Sequence, residues 1–420
     1  MTAVTADRAV VQRRTIATLM TGQVLGGASV SSAFAVAGLL AADIYDSDRI
    51  AGVASAMLTL GSAFASVPIA RMMRRRGRRP GLQVGYLVGM TGAMVAVLAG
   101  QLRSLPLLIV GMFLFGSGQA SNLQGRYVAA DLAEPDRRAR AISTVVWVGT
   151  LGAVFGPSLS PPEKAFGVAI GLDRLVGPFI FAAIFFGLAA VNISVRLRPD
   201  PLVVAGGLDP TGGERVKILP QLGRSLRVIW SIPMARLALV TNVVAQASMV
   251  AVMTMTPLHM KDHGHADLSA FVIALHIVGM FGLSPFIGRL VDRFGRVPSA
   301  LAAGVILAAG TVTAVVAGYQ PSLVFLGLFL VGLGWNVGII AGSALLTESV
   351  PAEERVGVQG SADLLMSLLG GSAGFASGFV KVAWGFHWLA NGATIAAGLL
   401  AAFALFMVRT SAVSGSPRPA

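Results

Sequence analysis

Twelve stretches of about 20 mostly apolar residues, separated by short polar runs, constrain this chain more than any other feature. They fall at 16–42, 50–72, 81–101, 105–129, 141–160, 174–195, 234–257, 267–288, 298–318, 322–346, 357–381 and 388–409. Each is long enough, as a helix, to cross the hydrocarbon core of a bilayer. Backbone groups in lipid have no water to bond, so such runs become helices that satisfy their own amides. The expected fold is therefore all-α and polytopic. Residues 1–15 form a cytoplasmic tail before a retained first helix, and 16–195 a first six-helix bundle. Residues 196–233, rich in Pro and Gly, form a cytoplasmic linker, 234–409 a second bundle and 410–420 a C-terminal tail. A polar break at Pro161, Pro162, Glu163 and Lys164 separates the fifth span from the sixth.

Orientation follows from charge. With the N-terminus inside, all but six of the 32 Lys and Arg residues fall on the cytoplasmic side. The six are Arg49, Arg103, Lys164, Arg174, Lys261 and Lys381, and such a bias places both termini inside. It also explains the net charge of +13 without nucleic acid, because the basic residues lie in short clusters between apolar spans. A composition 55% hydrophobic and 12% charged is not that of soluble domains. The chain has no cysteine, which removes disulfides and thiolate metal sites. No G-x-x-x-x-G-K-[ST] run is present and no Ser/His/Asp grouping sits in a soluble segment, so the chain reads as neither an ATPase nor another enzyme. The excess of Arg over Lys, with abundant Ala and Gly, suggests a bacterial plasma membrane.

The loops carry a duplication. Gly288-Arg289-Leu290-Val291-Asp292-Arg293-Phe294-Gly295-Arg296 is a glycine-hinged charged run, and a weaker copy around Gly77 and Arg78 lies 218 positions earlier. Ala133–Arg138 and Val350–Arg355 form a second matched pair at nearly the same offset. In the fifth span Gly152, Gly156 and Pro157 form G-x-x-x-G-P, which permits close helix approach. These motifs resemble those of the major facilitator superfamily, over nearly the whole chain. The resemblance implies two pseudo-symmetric six-helix bundles that alternate access to a midplane site. It makes Gly288, Asp292, Arg293, Gly295, Arg296, Gly77 and Arg78 a conformational gate, and Gly152, Gly156 and Pro157 an antiporter-like motif. The family's motif continues to Gly-Gly, where Ser160-Pro161 stand here. By the same analogy Asp292 should engage the start of span eleven near Gly357–Gly360. The first-half position matching Asp292 is Arg74, so the gate is expected to be asymmetric and latched mainly by the second half.

Ionisable groups within spans are costly and point to function when they face the bundle interior. Asp363 is either a proton-coupling carboxylate or a structural partner capped by backbone or Arg355. Arg126 reads as an anchor near the inner surface. The substrate pathway draws on Gln23, Asn122, Gln124, Trp147, Asn242, Gln246, Trp335 and Asn336, since embedded amides must find partners.

Four of the five histidines fall between His259 and His276. His259, His263, His265 and His276, with Met253, Met255, Met260, Asp262, Asp267 and Met280, offer imidazole, carboxylate and thioether groups at the outer mouth. Three readings stand: a divalent-metal entry site, a pH sensor, or a structural cap. No resident cofactor is expected beyond a divalent metal as substrate or ligand. The sequence therefore suggests a monomeric secondary transporter for small solutes, with proton-coupled efflux of an organic compound preferred. Movement of a metal ion or chelate, and a non-transporting sensor or scaffold, are the alternatives.

Overall fold

The computed structural model describes residues 2–46, 51–208, 218–264, 268–318 and 320–413. The described residues are helical, with no strand. In order they form α1 (Thr2–Tyr45), α2 (Ala51–Arg76), α3 (Arg78–Gln101), α4 (Leu105–Val128), α5 (Arg138–Ala169) and α6 (Gly177–Arg196). The linker carries α7 (Pro201–Val204) and α8 (Ile218–Ser231). Then come α9 (Pro233–Asp262), α10 (Ser269–Ile277), α11 (Ser284–Phe294), α12 (Arg296–Val316), α13 (Pro321–Ser349), α14 (Ala352–Trp384) and α15 (Phe386–Val413). Proline in the first turn of α4, α6, α11 and α13 starts those helices where a free N–H has no intrahelical partner.

Among the described residues, ten helices are long and apolar enough to cross a membrane. The α10–α11 pair, bent by 42°, makes an eleventh span, and α5, 32 residues long, stands in the fifth position. The bend sits at a π-helical turn, Val278–Gly282, which leaves backbone groups out of register. Asn336 of α13 repairs it: its Nδ2 donates to Gly279 O at 3.3 Å, and Ser284 Oγ donates to its Oδ1 at 3.0 Å.

Two expectations change. The break at Pro161–Lys164 is absent, because α5 runs through it to Ala169. Glu163 turns inward, buried and bonded by Ser32, so the segment is anchored as a helix rather than released as a loop. The linker also holds an amphipathic helix. Gln221, Ser225 and Ile229 of α8 recur every four residues on its buried face, while Trp230 is exposed.

The chain divides into two compact units that follow the sequence halves with one exchange each. Unit 1 comprises Met1–Leu132 and Val148–Leu226, and takes in the first turns of α14, Ala352–Leu364. Unit 2 comprises Arg227–Pro351 and Leu365–Ala420, and takes in Ala133–Trp147, which includes the start of α5. In unit 1, α3 and α4 meet at Gly92 and Gly111; a Cβ on Gly92 would lie 2.6 Å from Gly111 O, and one on Gly111 3.0 Å from Gly92 O. Unit 2 repeats this between α12 and α13, where the same construction on Gly310 and Gly327 gives 2.9 and 3.0 Å. Gly77 (φ 98°) and Gly295 (φ 93°) make matching turns into α3 and α12 in the left-handed region, where a side chain would be strained.

Candidate functional site

In unit 1 the start of α14 is held by arginines. Arg78, at the first residue of α3 and fully buried, forms a two-toothed pair with Asp131: Nε–Oδ2 at 2.8 Å and Nη2–Oδ1 at 2.9 Å. The same Nη2 donates to Gln359 Oε1 of α14 at 2.9 Å. One turn further along α14, Asp363 Oδ1 lies 2.5 Å from Arg126 Nη2 of α4, with both side chains buried. Arg126 also donates to Leu123 O at 2.6 Å and to Tyr127 Oη at 3.1 Å. Among the described residues Asp363 Oδ2 has no hydrogen-bond partner. Arg224 of α8 pairs with Glu354 in the first turn of α14. The helices approach closely enough that a Cβ on Gly360 would meet Ser66 O at 3.0 Å. Buried ions of opposite sign in contact are costly to separate, since either one left alone is an uncompensated charge.

In unit 2 the start of α5 is held by a carboxylate. Asp292 of α11 accepts from the backbone N–H of Ala139 at 3.1 Å and of Arg140 at 3.0 Å. These amides are free donors in the first turn, at the positive end of the helix dipole. This corrects the expectation from resemblance: Asp292 caps span five, not Gly357–Gly360 of span eleven. The reason is local, because Gly288, one turn before Asp292, leaves only enough room for Ser143 and Ala139 of α5 to pack against α11. Arg296 completes the corner, 3.2 Å from Asp292 Oδ1 and 2.9 Å from Glu348 Oε1, and donates to Pro135 O. Arg293 is exposed and stacks over Phe294, apart from this corner.

The sequence reading missed Asp131, Glu348 and Gln359. The first two were discoverable, because Arg78–Arg296 and Asp131–Glu348 stand at offsets of 218 and 217, the same spacing as the duplicated loops. Asp363 pairs with Arg126. Arg126 is thus the counter-ion of a carboxylate within the spans.

The glycines of the antiporter-like motif bring α5 against α1. A Cβ on Gly152 would lie 2.7 Å from Gly27 Cα, and Gly156 faces Ser31 at similarly close range. The side chain of Pro157 lies outside the described residues. Several pathway candidates have partners within their own units. Tyr86 Oη donates to Asn122 Oδ1 at 3.2 Å, and Gln124 Nε2 donates to Ser66 O at 2.9 Å. Trp335 Nε1 donates to Gln246 Oε1 at 2.8 Å. Among the described residues both polar atoms of Asn242 are buried without a partner, and Asn336 is occupied at the α10–α11 break. Gln23 is half-buried on α1, and Trp147 is exposed on α5.

Among the histidines, His259 Nε2 lies 3.2 Å from Gly318 O, and its ring stacks on Phe386 at 4.3 Å. His263 Nδ1 bonds His259 O at 2.6 Å, and the two rings are 4.4 Å apart. His276 is fully buried, with Nδ1 2.7 Å from Leu328 O. His265 and Asp267 lie outside the described residues. Among the described residues no three His, Asp or Glu side chains converge as metal ligands would. Asp262, just beyond the α9 span, pairs with Lys381 of α14 at 2.5 Å, and that hydrogen bond holds its carboxyl below the ordinary range.

The family model described as Major Facilitator Superfamily matches residues 19–374 and, separately, 238–420. The chain belongs to that superfamily. It is 40% identical over 371 residues to the uncharacterised MFS-type transporter YddS of Bacillus subtilis, covering 88% of this chain and 85% of the relative. It is 30% identical over 387 residues to the riboflavin transporter RfnT of Brucella anthropi, covering 89% and 92%. A crystal structure of the human organic anion transporter MFSD10 shares the fold with a TM-score of 0.76 at 17% identity, covering 94% and 99%. The protein is thus a multi-pass plasma-membrane protein of a transporter family, not an enzyme.

Proposed function

We propose that this protein is a proton-coupled secondary transporter that exports a small organic metabolite or drug-like compound by alternating access. The observation that carries the proposal is the buried Arg126–Asp363 pair, which ties α4 to the first turns of α14. Asp363 holds Arg126 only while it is ionised. A proton on Asp363 removes the charge attraction to Arg126, while the contacts of Arg78 with Gln359 and of Arg224 with Glu354 remain. Inner opening then needs one proton per cycle, and the gradient supplies the energy. Asn122 with Tyr86 in one unit, and Gln246 with Trp335 in the other, pair amide and aromatic groups of the kind suited to an organic cargo. Likeness to a riboflavin transporter supports a metabolite of that kind. Each chain carries its own pathway, and a monomer suffices.

The test is transport into proteoliposomes under an imposed pH gradient, using riboflavin and a panel of organic compounds and divalent metals. Wild type should move at least one organic compound in response to the gradient. Asp363→Asn should cut that response about tenfold or more, as expected for a functional intramembrane carboxylate. A variant that keeps the full gradient response would exclude Asp363 as the coupling group. Gradient-driven movement of metals alone would favour the metal reading.

A further inference from the structure

A second buried carboxylate differs from Asp363 in having no ion-pair partner among the described residues. Glu163 lies on α5 about two turns from the helix's outer end, with its side chain buried. Its neighbour across the α1–α5 contact is Ser32, whose Oγ is 2.9 Å from Oε1 and 3.1 Å from Oε2. Ser32 Oγ is also 3.2 Å from Gly156 O. Among the described residues no Arg, Lys or His forms an ion pair with Glu163. Lys164, adjacent in sequence, is the cation whose field reaches it. In the connection to α6, Asp173 and Arg174 are exposed, and α6 itself presents Gly177 to the Glu163 carbonyl.

Counting protons shows which form this site accommodates. A serine hydroxyl has one hydrogen to give and two lone pairs to receive. If Glu163 is ionised, Ser32 spends its hydrogen on one carboxylate oxygen. The other oxygen then has no donor, and Gly156 O loses the serine as well. If Glu163 is protonated, its O–H donates to Ser32 Oγ, and Ser32 donates onward to Gly156 O. The chain of donors is then complete and carries no buried charge, whereas an unpaired carboxylate buried in the protein is costly.

The geometry points to Glu163 as a proton-binding site, with Ser32 as its relay to the backbone of the Gly152–Gly156 contact. Protonation here tightens the α1–α5 seam, because the relay ends on Gly156, where the two helices already touch. Deprotonation withdraws the serine from Gly156 and loosens that seam. The site lies in the outer half of its helix, so its proton exchanges with the outer side. As a step of the transport cycle it rests on the proton-coupled reading above; as a proton site it stands on its own geometry.

Infrared difference spectroscopy of the reconstituted protein, titrated between about pH 5 and 9, reads the protonated-carboxyl stretch directly. Wild type should show a titrating carboxyl band that is absent in Glu163→Gln and retained at a shifted frequency in Glu163→Asp. Ser32→Ala should move its midpoint by about one pH unit or more. Identical difference spectra for wild type and Glu163→Gln would overturn the assignment, as would an unmoved midpoint in Ser32→Ala. Loss of the band in Glu163→Gln, in a wild-type protein that ignores a pH gradient, would uphold the proton site and remove the coupling reading.

Discussion

The start of α14 in unit 1 and the start of α5 in unit 2 occupy matching places in the duplicated sequence, yet they are held by opposite means. At α5 a carboxylate, Asp292, accepts directly from two backbone amides. At α14 the matching loop position is Arg74, and the holding is done by arginine side chains: Arg78 on Gln359, Arg126 on Asp363 and Arg224 on Glu354. The corners behind them remain copies, Arg78 with Asp131 and Arg296 with Glu348. What diverged is the last contact. A cap on backbone amides does not depend on the side chains of the helix it holds. A side-chain ion pair can be switched by one proton, and among the described residues the pairs buried on both sides, Arg78–Asp131 and Arg126–Asp363, lie in unit 1.

The sharpest way to break this comparison is to remove one arginine from each corner. Arg78→Ala leaves Asp131 buried and unpaired and should cost about 3–5 kcal/mol, read as a fall in thermal midpoint of the purified protein. Arg296→Ala should cost less, about 1–3 kcal/mol, because Arg296 and Glu348 retain 11% and 24% side-chain exposure. Equal losses would mean that the two corners are energetically alike.

A double-mutant cycle on Arg126 and Asp363 comes next. Each single change to Leu strands a buried charge, so the double variant should be more stable than either single variant by about 1 kcal/mol or more. Additive losses would show that the pair is not coupled. Asp292→Asn should cost about 1 kcal/mol, the scale of a helix cap with its dipole term. It should leave the gradient response of transport intact, in contrast to Asp363→Asn.

The smallest effect belongs to the outer pair. Asp262 has its carboxyl depressed by Lys381, so the pair contributes above the ordinary carboxylate range and is lost only as pH falls through the lowered value. With Asp262 half exposed, Asp262→Asn should barely shift the melt at neutral pH.

Hydropathy alone located the spans, because lipid permits few backbone solutions for an apolar run of that length. It failed at Pro161–Lys164, where local polarity read as a break but one buried partner, Ser32, kept the helix whole. The α10–α11 bend was equally hidden, since Asn336 looks the same whether it lines a pathway or mends a π-turn. Asp363 was visible as a costly intramembrane charge, whereas its counter-ion lies 237 residues away in sequence and no periodicity joins them. Asp292 shows the limit of analogy: its loop was legible, but which helix start it caps depended on the room left at Gly288.

In the proposed cycle, ionised Asp363 holds the start of α14 closed against α4 through Arg126. The chain lacks cysteine, so Ser361→Cys places a single thiol on α14 beside the latch, at a position buried in the closed network. Its labelling rate by a membrane-impermeant maleimide in inside-out vesicles reports whether that start has opened. The thiol should react slowly in the otherwise wild-type chain and several-fold faster when Asp363→Asn is added. Equal rates in the two backgrounds would contradict the account.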